Sequence, residues 1–205
     1  MAQAQAKQAA NQAVAATPRG DAIARYVAGT SQREFPPEVI EAAKKNFVDY
    51  LGVSVGSYYE APAMAVRKTA QSWGATGKAR MFLDQETTPA LAALVNGTMA
   101  HCMDYDDAHT GGAGHPSAPL WAATLAMAEH TGSTEHETIA AFLTGFEIMV
   151  RLGGGGIKGV GRVTAQRGFH PTPRYATPGC AAVASVLLKL DARQTAYAQI
   201  GRAHV

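Results

Sequence analysis

An all-α fold is what the sequence predicts, on three observations. Apolar residues recur at intervals of three and four through successive segments. The composition is rich in Ala and poor in aromatics, with 7% Phe, Trp and Tyr, which suits helices packed closely through small side chains. Segments do not alternate in the βαβ rhythm of a parallel sheet. At 205 residues the chain can bury a genuine core, and 47% hydrophobic residues exclude wholesale disorder.

Residues 1–20 are Ala/Gln-rich and predict a frayed tail ahead of the Thr17-Pro18 break. The stretch lacks both the continuous apolar run of a signal peptide and the Arg-rich face of a transit peptide. A first helix over 21–28 has an Ile23/Tyr26/Val27 stripe. The second, over 38–55, sets Val39, Ile40, Ala43, Phe47, Tyr50 and Leu51 on one side, with Pro36 and Pro37 suited to its start. A helix over 63–73 closes at Gly74, and 78–83 reads as an isolated strand. Thr88-Pro89 opens a helix to about Met103, and 118–130 is helical again. Ser133-Thr134 with Glu137 has the pattern of a capping box before a helix to about Arg151. The glycines of 153–161 predict a loop: no strand precedes them and no GK[ST] follows, so they do not meet the requirements of a phosphate cradle. Thr177-Pro178 starts a further apolar helix, and Asp191 begins the last, eight in all.

Charges nearly cancel, 18 Lys and Arg against 16 Asp and Glu, giving no bulk electrostatic reason to propose a nucleic-acid or membrane partner. The longest uncharged run, 108–128, is broken by Gly, Pro and Ser and is no membrane span. Cys102 and Cys180 cannot make a disulfide framework. These features predict a cytoplasmic chain.

Chemistry concentrates at residues 101–117, HCMDYDDAHTGGAGHPS, where three carboxylates (Asp104, Asp106, Asp107) and three imidazoles (His101, His109, His115) follow an apolar helix. Charged groups at the end of a buried helix cost desolvation unless paired, so the cluster is either a site or a capped surface end. If the helix continued, Asp104 and Asp107 would share a face and Asp106 would point elsewhere. A second polar stretch, RGFHPTPRY, holds His170 between Phe169 and Pro171, and the prolines at 171, 173 and 178 predict an extended turn there. A histidine on a rigid loop suits proton transfer, because imidazole titrates near neutrality.

The NG…HCMDYDD…HPS block, FLTGFEIMVRLG and GFHPTPRYATPGCAAVASVLLKLD together resemble the MmgE/PrpD family over about Asp21 to Gln199. That family includes 2-methylcitrate dehydratases, cis-aconitate decarboxylases and iminodisuccinate epimerases. The resemblance implies an N-terminal helical domain, joined in complete members by an α/β lid domain. It implies action on small di- or tricarboxylates without a metal, nicotinamide or flavin cofactor, and a homodimer. Carried over, it makes Asp104, His115 and His170 catalytic or substrate-contacting. The expected reaction is dehydration of 2-methylcitrate or a relative, part of propionate catabolism. A base removes a proton beside a carboxylate and an acid assists the departing hydroxyl. Arg167 and Arg174, beside His170, are the local cations suited to a substrate carboxylate, with Asp107 as a further substrate contact. Ala108 stands where cis-aconitate decarboxylases tend to have Thr, which counts against decarboxylation.

Relative to that family the chain looks short. Residues 200–205, IGRAHV, read as translated sequencing adapter, so native sequence is expected to end at about Gln199. The family's catalytic lysine and lid would then be missing, and the isolated chain would be marginally stable and inactive. Three other functions fit parts of the pattern. A metal-dependent hydrolase would use His101, Asp104, Asp107 and His115, although their spacing matches no specific metal motif. A thiol enzyme would use Cys102, although its neighbour His101 would point about 100° away on a helix. A helical dimerisation module would need no catalysis.

Overall fold

The structure is a computed structural model and describes residues 18–112, 114–154 and 156–201. The expectations for residues 1–17 and 202–205 lie outside the described residues. Among those described are nine α-helices and a two-strand ladder: α1 Pro18–Ala28, α2 Pro37–Gly56, α3 Ala61–Ser72, β1 Ala79–Arg80, β2 Glu86–Thr87, α4 Pro89–His101, α5 Ser117–Thr131, α6 Glu135–Gly153, α7 Val160–Gln166, α8 Pro171–Leu187 and α9 Ala192–Gly201. The fold is all-α. Among the described residues, no helix is long and apolar enough to cross a membrane.

Three local readings are corrected. The stretch 78–83 contributes only Ala79–Arg80 as strand, and it pairs antiparallel with Glu86–Thr87 instead of standing alone. Asn96, buried on α4, holds this ladder: it accepts from the Phe82 amide at 2.9 Å and donates to the Arg80 carbonyl at 2.9 Å. The end of the Gly-rich stretch is helical, because α7 starts at Val160. The helix expected from 177–178 starts six residues earlier, at Pro171. Pro171 and Pro173 fall in its first turn, where an amide has no intrahelical partner to lose. Pro178 sits inside α8, and its own carbonyl accepts from Gln199 Nε2 at 3.1 Å.

The core forms around α5, which packs against α2, α4, α6 and α8. Trp121 of α5 stacks on Phe142 of α6 with centroids 3.9 Å apart, and Phe47 of α2 tilts against the same indole at 4.8 Å. Tyr50, Leu120, Met149 and Val183 fill the surrounding space. Helices α6 and α8 cross at glycines. A Cβ on Gly145 would lie 2.6 Å from Val183 Cγ2, and one on Gly179 would lie 2.9 Å from the Gly145 carbonyl oxygen. No larger residue fits that crossing without moving a helix. The first and last described helices also meet, with α9 packed on α1 and α8.

The capping box reads as expected. Thr134 Oγ1 accepts from the Glu137 amide, and Glu137 Oε2 accepts from the Thr134 amide. Thr134→Ala is expected to lower stability by about 1 kcal/mol, read from the denaturation midpoint. The Thr134 amide and then Lys189 hold the Glu137 carboxyl below its usual range. Its contribution is therefore complete above the ordinary carboxylate pKa and is lost as pH falls through the lowered value.

Candidate active site

Helix α4 stops at His101, and Asp104 then adopts a left-handed backbone with φ 54°. Asp is among the few non-glycine residues that tolerate this region. The helical reading of Asp104 to Asp107 is thereby corrected: the chain leaves the helix axis and each carboxylate takes a different direction. Asp104 stays at the surface, its side chain 79% exposed, with Oδ1 3.6 Å from His115 Nε2. Asp106 turns inward, its side chain 1% exposed, with Oδ1 and Oδ2 3.0 and 3.1 Å from His101 Nδ1. The same Oδ1 lies 3.4 Å from His115 Nδ1, and the Asp106 carbonyl is also 3.4 Å from that nitrogen.

Asp107 turns back to the scaffold. Its Oδ1 accepts from the Ser117 amide at 2.9 Å, and Oδ2 accepts from Asn46 Nδ2 at 3.0 Å. One oxygen therefore caps the first turn of α5 and the other anchors the loop to α2. Asn46 is the hub of this anchor, because its Oδ1 also accepts from Ser117 Oγ at 2.6 Å and Trp121 Nε1 at 2.8 Å.

His170 ends its extended segment as the N-cap of α8, with its ring exposed and parallel to that of His101 at 5.9 Å. His101 and His115 rings are 5.1 Å apart. The His115 amide donates to Thr172 Oγ1 at 3.0 Å, tying the loop to the first turn of α8. Three imidazoles and two carboxylates thus gather where α4 ends and α8 begins. The positive end of the α8 peptide dipole lies there too, which favours an anionic guest.

Glycines let the loop settle. A Cβ on Gly153, at the end of α6, would collide with the Gly112 carbonyl, and one on Gly112 would meet Val150 Cα at 3.1 Å. His109 serves this packing, its Nδ1 accepting from the Gly112 amide at 2.8 Å and its ring edge against Phe146.

Arg167 and Arg174 do not join the imidazoles. With Lys158, Thr164 and Phe169 they line a separate cavity of about 320 Å³ that includes neither His115 nor His170. Arg174 lies one turn after His170 on α8, and its guanidinium is 5.2 Å from the Phe169 ring centroid. The cavity's charged lining is cationic throughout, Lys158, Arg167 and Arg174.

Of the residues that sequence reasoning singled out, Asp104 lies 3.6 Å from His115, and the His115 and His170 rings each lie against that of His101. That reasoning named His101 only as a ligand of the metal-hydrolase alternative, and it gave Asp106 no role because a helix continued past His101 would turn that carboxylate away. It also passed over Asn46, whose signal was legible: an amide on the apolar side of α2, between Ala43 and Tyr50. One ligand atom each from His101, Asp104, Asp106 and His115 lie within 4.8 Å of one another, a donor set able to accept a cation. Asp106, and not Asp107, belongs to that set. Cys102 contributes only a thiol directed to the Met99 carbonyl at 3.8 Å.

Two comparisons bear on this arrangement. The chain is 26% identical over 191 residues to a cis-aconitate decarboxylase-like protein, oryM, of Aspergillus oryzae (strain ATCC 42149 / RIB 40). That alignment takes in 87% of this chain and 39% of the relative, so the chain spans about two-fifths of the length of that protein. A family model for the MmgE/PrpD N-terminal domain matches residues 21–204, taking in α2 to α9 and every residue of the imidazole–carboxylate cluster. On that match the chain belongs to the MmgE/PrpD family, as its N-terminal domain.

Proposed function

We propose that this domain supplies the proton-handling part of a lyase active site for a small di- or tricarboxylate, most simply a hydro-lyase that dehydrates 2-methylcitrate or a related hydroxy acid. The observation that carries the reading is the meeting of Asp104, His115 and His170 around His101 at the positive end of α8. Dehydration removes a proton from carbon beside a carboxylate and expels hydroxide as water. His115 Nε2, facing Asp104 and the mouth of the site, is placed to take or give the first proton. His170, exposed on the opposite lip, is placed to exchange the second.

Arg167 and Arg174 bind a distal carboxylate of the substrate from the cationic cavity one turn along α8. Asp107 acts from behind, fixing the loop through Asn46 and the Ser117 amide. A second domain completes the site in the whole protein, which acts in the cytoplasm as a homodimer. No nicotinamide, flavin or metal is required by this chemistry. Ala108, with no hydroxyl to offer, supports dehydration over the decarboxylase alternative, and epimerisation is the other alternative within the family.

The 4.8 Å donor set gives a metal-dependent hydrolase its one supporting observation. Against it stands the sequence spacing of these residues, which matches no specific metal motif. The test is a product analysis of the complete enzyme given 2-methylcitrate or cis-aconitate. An alkene from the hydroxy acid is the expected product. Carbon dioxide from cis-aconitate would transfer the assignment to the decarboxylases.

A further inference from the structure

We infer that Asp106 is a positioning residue that locks two imidazoles, His101 and His115, in the same tautomer, with both Nδ1 atoms protonated and both Nε2 atoms left as bases. The inference deepens the acid–base reading of this site and rests on it for its catalytic consequence, though not for its structural part.

The geometry leaves little choice. An ionised carboxylate and a backbone carbonyl are acceptors only. His101 Nδ1 has both Asp106 carboxylate oxygens within 3.1 Å. His115 Nδ1 faces Oδ1 of the same carboxylate and the Asp106 carbonyl, each at 3.4 Å. Both nitrogens therefore donate, and in the neutral rings both Nε2 atoms carry the lone pair. Since Asp106 is 7% exposed as a residue and its side chain 1%, water does not compete for these positions. The charged and titratable groups facing the pair are Asp104 on the turn, His170 at the start of α8 and the two imidazoles themselves.

His115 Nε2 then opens toward Asp104 and the site, the direction a general base needs. His101 forms the floor on which His170 stacks. A carboxylate behind an imidazole serves in this way wherever one tautomer must be held, and loss of the carboxylate charge with shape retained is strongly damaging because the ring adopts the wrong tautomer. Here one carboxylate serves two rings.

The test is long-range ¹H–¹⁵N NMR of the complete enzyme labelled in histidine, with signals assigned by single His→Asn variants. The expected wild-type result is Nδ1–H at both His101 and His115. Nε2–H at either ring would overturn the inference, and this measurement needs no carboxylate variant to fold. Asp106→Asn, verified as folded by circular dichroism, is expected to lose the fixed tautomer at His101, whose Nδ1 has only the side-chain oxygens, while His115 keeps the residue-106 carbonyl. An unchanged pattern would equally overturn it. In the complete enzyme the same variant lowers kcat by about 10²–10⁴ and leaves KM within a few-fold, whereas a purely structural role would move stability and both constants. Fixed tautomers in an enzyme without lyase activity would refute the proposed reaction and leave the positioning intact.

Discussion

His115→Asn in the complete enzyme is expected to lower kcat by about 10²–10⁴ with KM changed only a few-fold. The amide nitrogen of Asn can still donate toward Asp106, so the loop keeps its support while the basic Nε2 is gone. The Nε2 atom is the one that faces Asp104 at 3.6 Å. His170→Asn and Asp104→Asn should each fall in the same range, and pairs of these substitutions should cost much less than the product of the single losses. His130→Asn, at the exposed end of α5, is the matched control and should leave kcat unchanged. Steady-state kinetics on the four single variants checks the set.

Asn46→Ala is expected to be the most destabilising single change at the back of the site, lowering stability by about 3 kcal/mol or more. It strips a partner from Ser117 Oγ, from Trp121 Nε1 and from Asp107 Oδ2 at once. Each orphaned buried group costs about 1–3 kcal/mol, and the loss spreads from the core tryptophan to the loop carrying the carboxylates. At about 2–4 °C per kcal/mol for a chain of this size, the melting temperature should drop by roughly 6–12 °C. Val48→Ala, on the exposed side of the same helix, should change stability by no more than about 0.5 kcal/mol. Thermal unfolding of both variants beside the parent gives the comparison.

The helices were legible because their signals are local. Apolar spacing placed α2 and α6 within a residue or two of their observed ends, and the capping box at Thr134 was read directly. What periodicity missed has tertiary causes. Val160–Gln166 follows glycines that local rules assign to a loop, yet Thr164 is buried and hydrogen-bonded to the Tyr175 hydroxyl of α8 at 2.8 Å. Pro178 signals a helix start in isolation, while buried contacts of α8 with α5 and α6 carry the helix through it.

The site divides in the same way. Asp104, His115 and His170 were singled out by the resemblance of the MDYDD, HPS and FHP motifs to the family, while the polar cluster itself was legible as a break after an apolar helix. The division of labour between Asp106 and Asp107 was hidden, because it turns on one left-handed residue. With φ 54° at Asp104, Asp106 swings under the two imidazoles and Asp107 swings toward α2. No spacing rule encodes that rotation. The glycines at 112 and 153 were visible as loop formers, but the close approach of backbone to backbone that requires them appears only in three dimensions.

Dehydration, decarboxylation and epimerisation share one event, a proton moving to or from carbon beside a carboxylate, and that event tests the central claim most directly. The measurement is mass spectrometry of the products formed when the complete enzyme acts on the unsaturated tricarboxylate in deuterium oxide, the direction in which hydration or decarboxylation adds a solvent proton to carbon. Carbon-bound deuterium is expected in the parent enzyme and its absence in His115→Asn. Turnover that places no deuterium on carbon, or that places as much in His115→Asn as in the parent, would contradict the account.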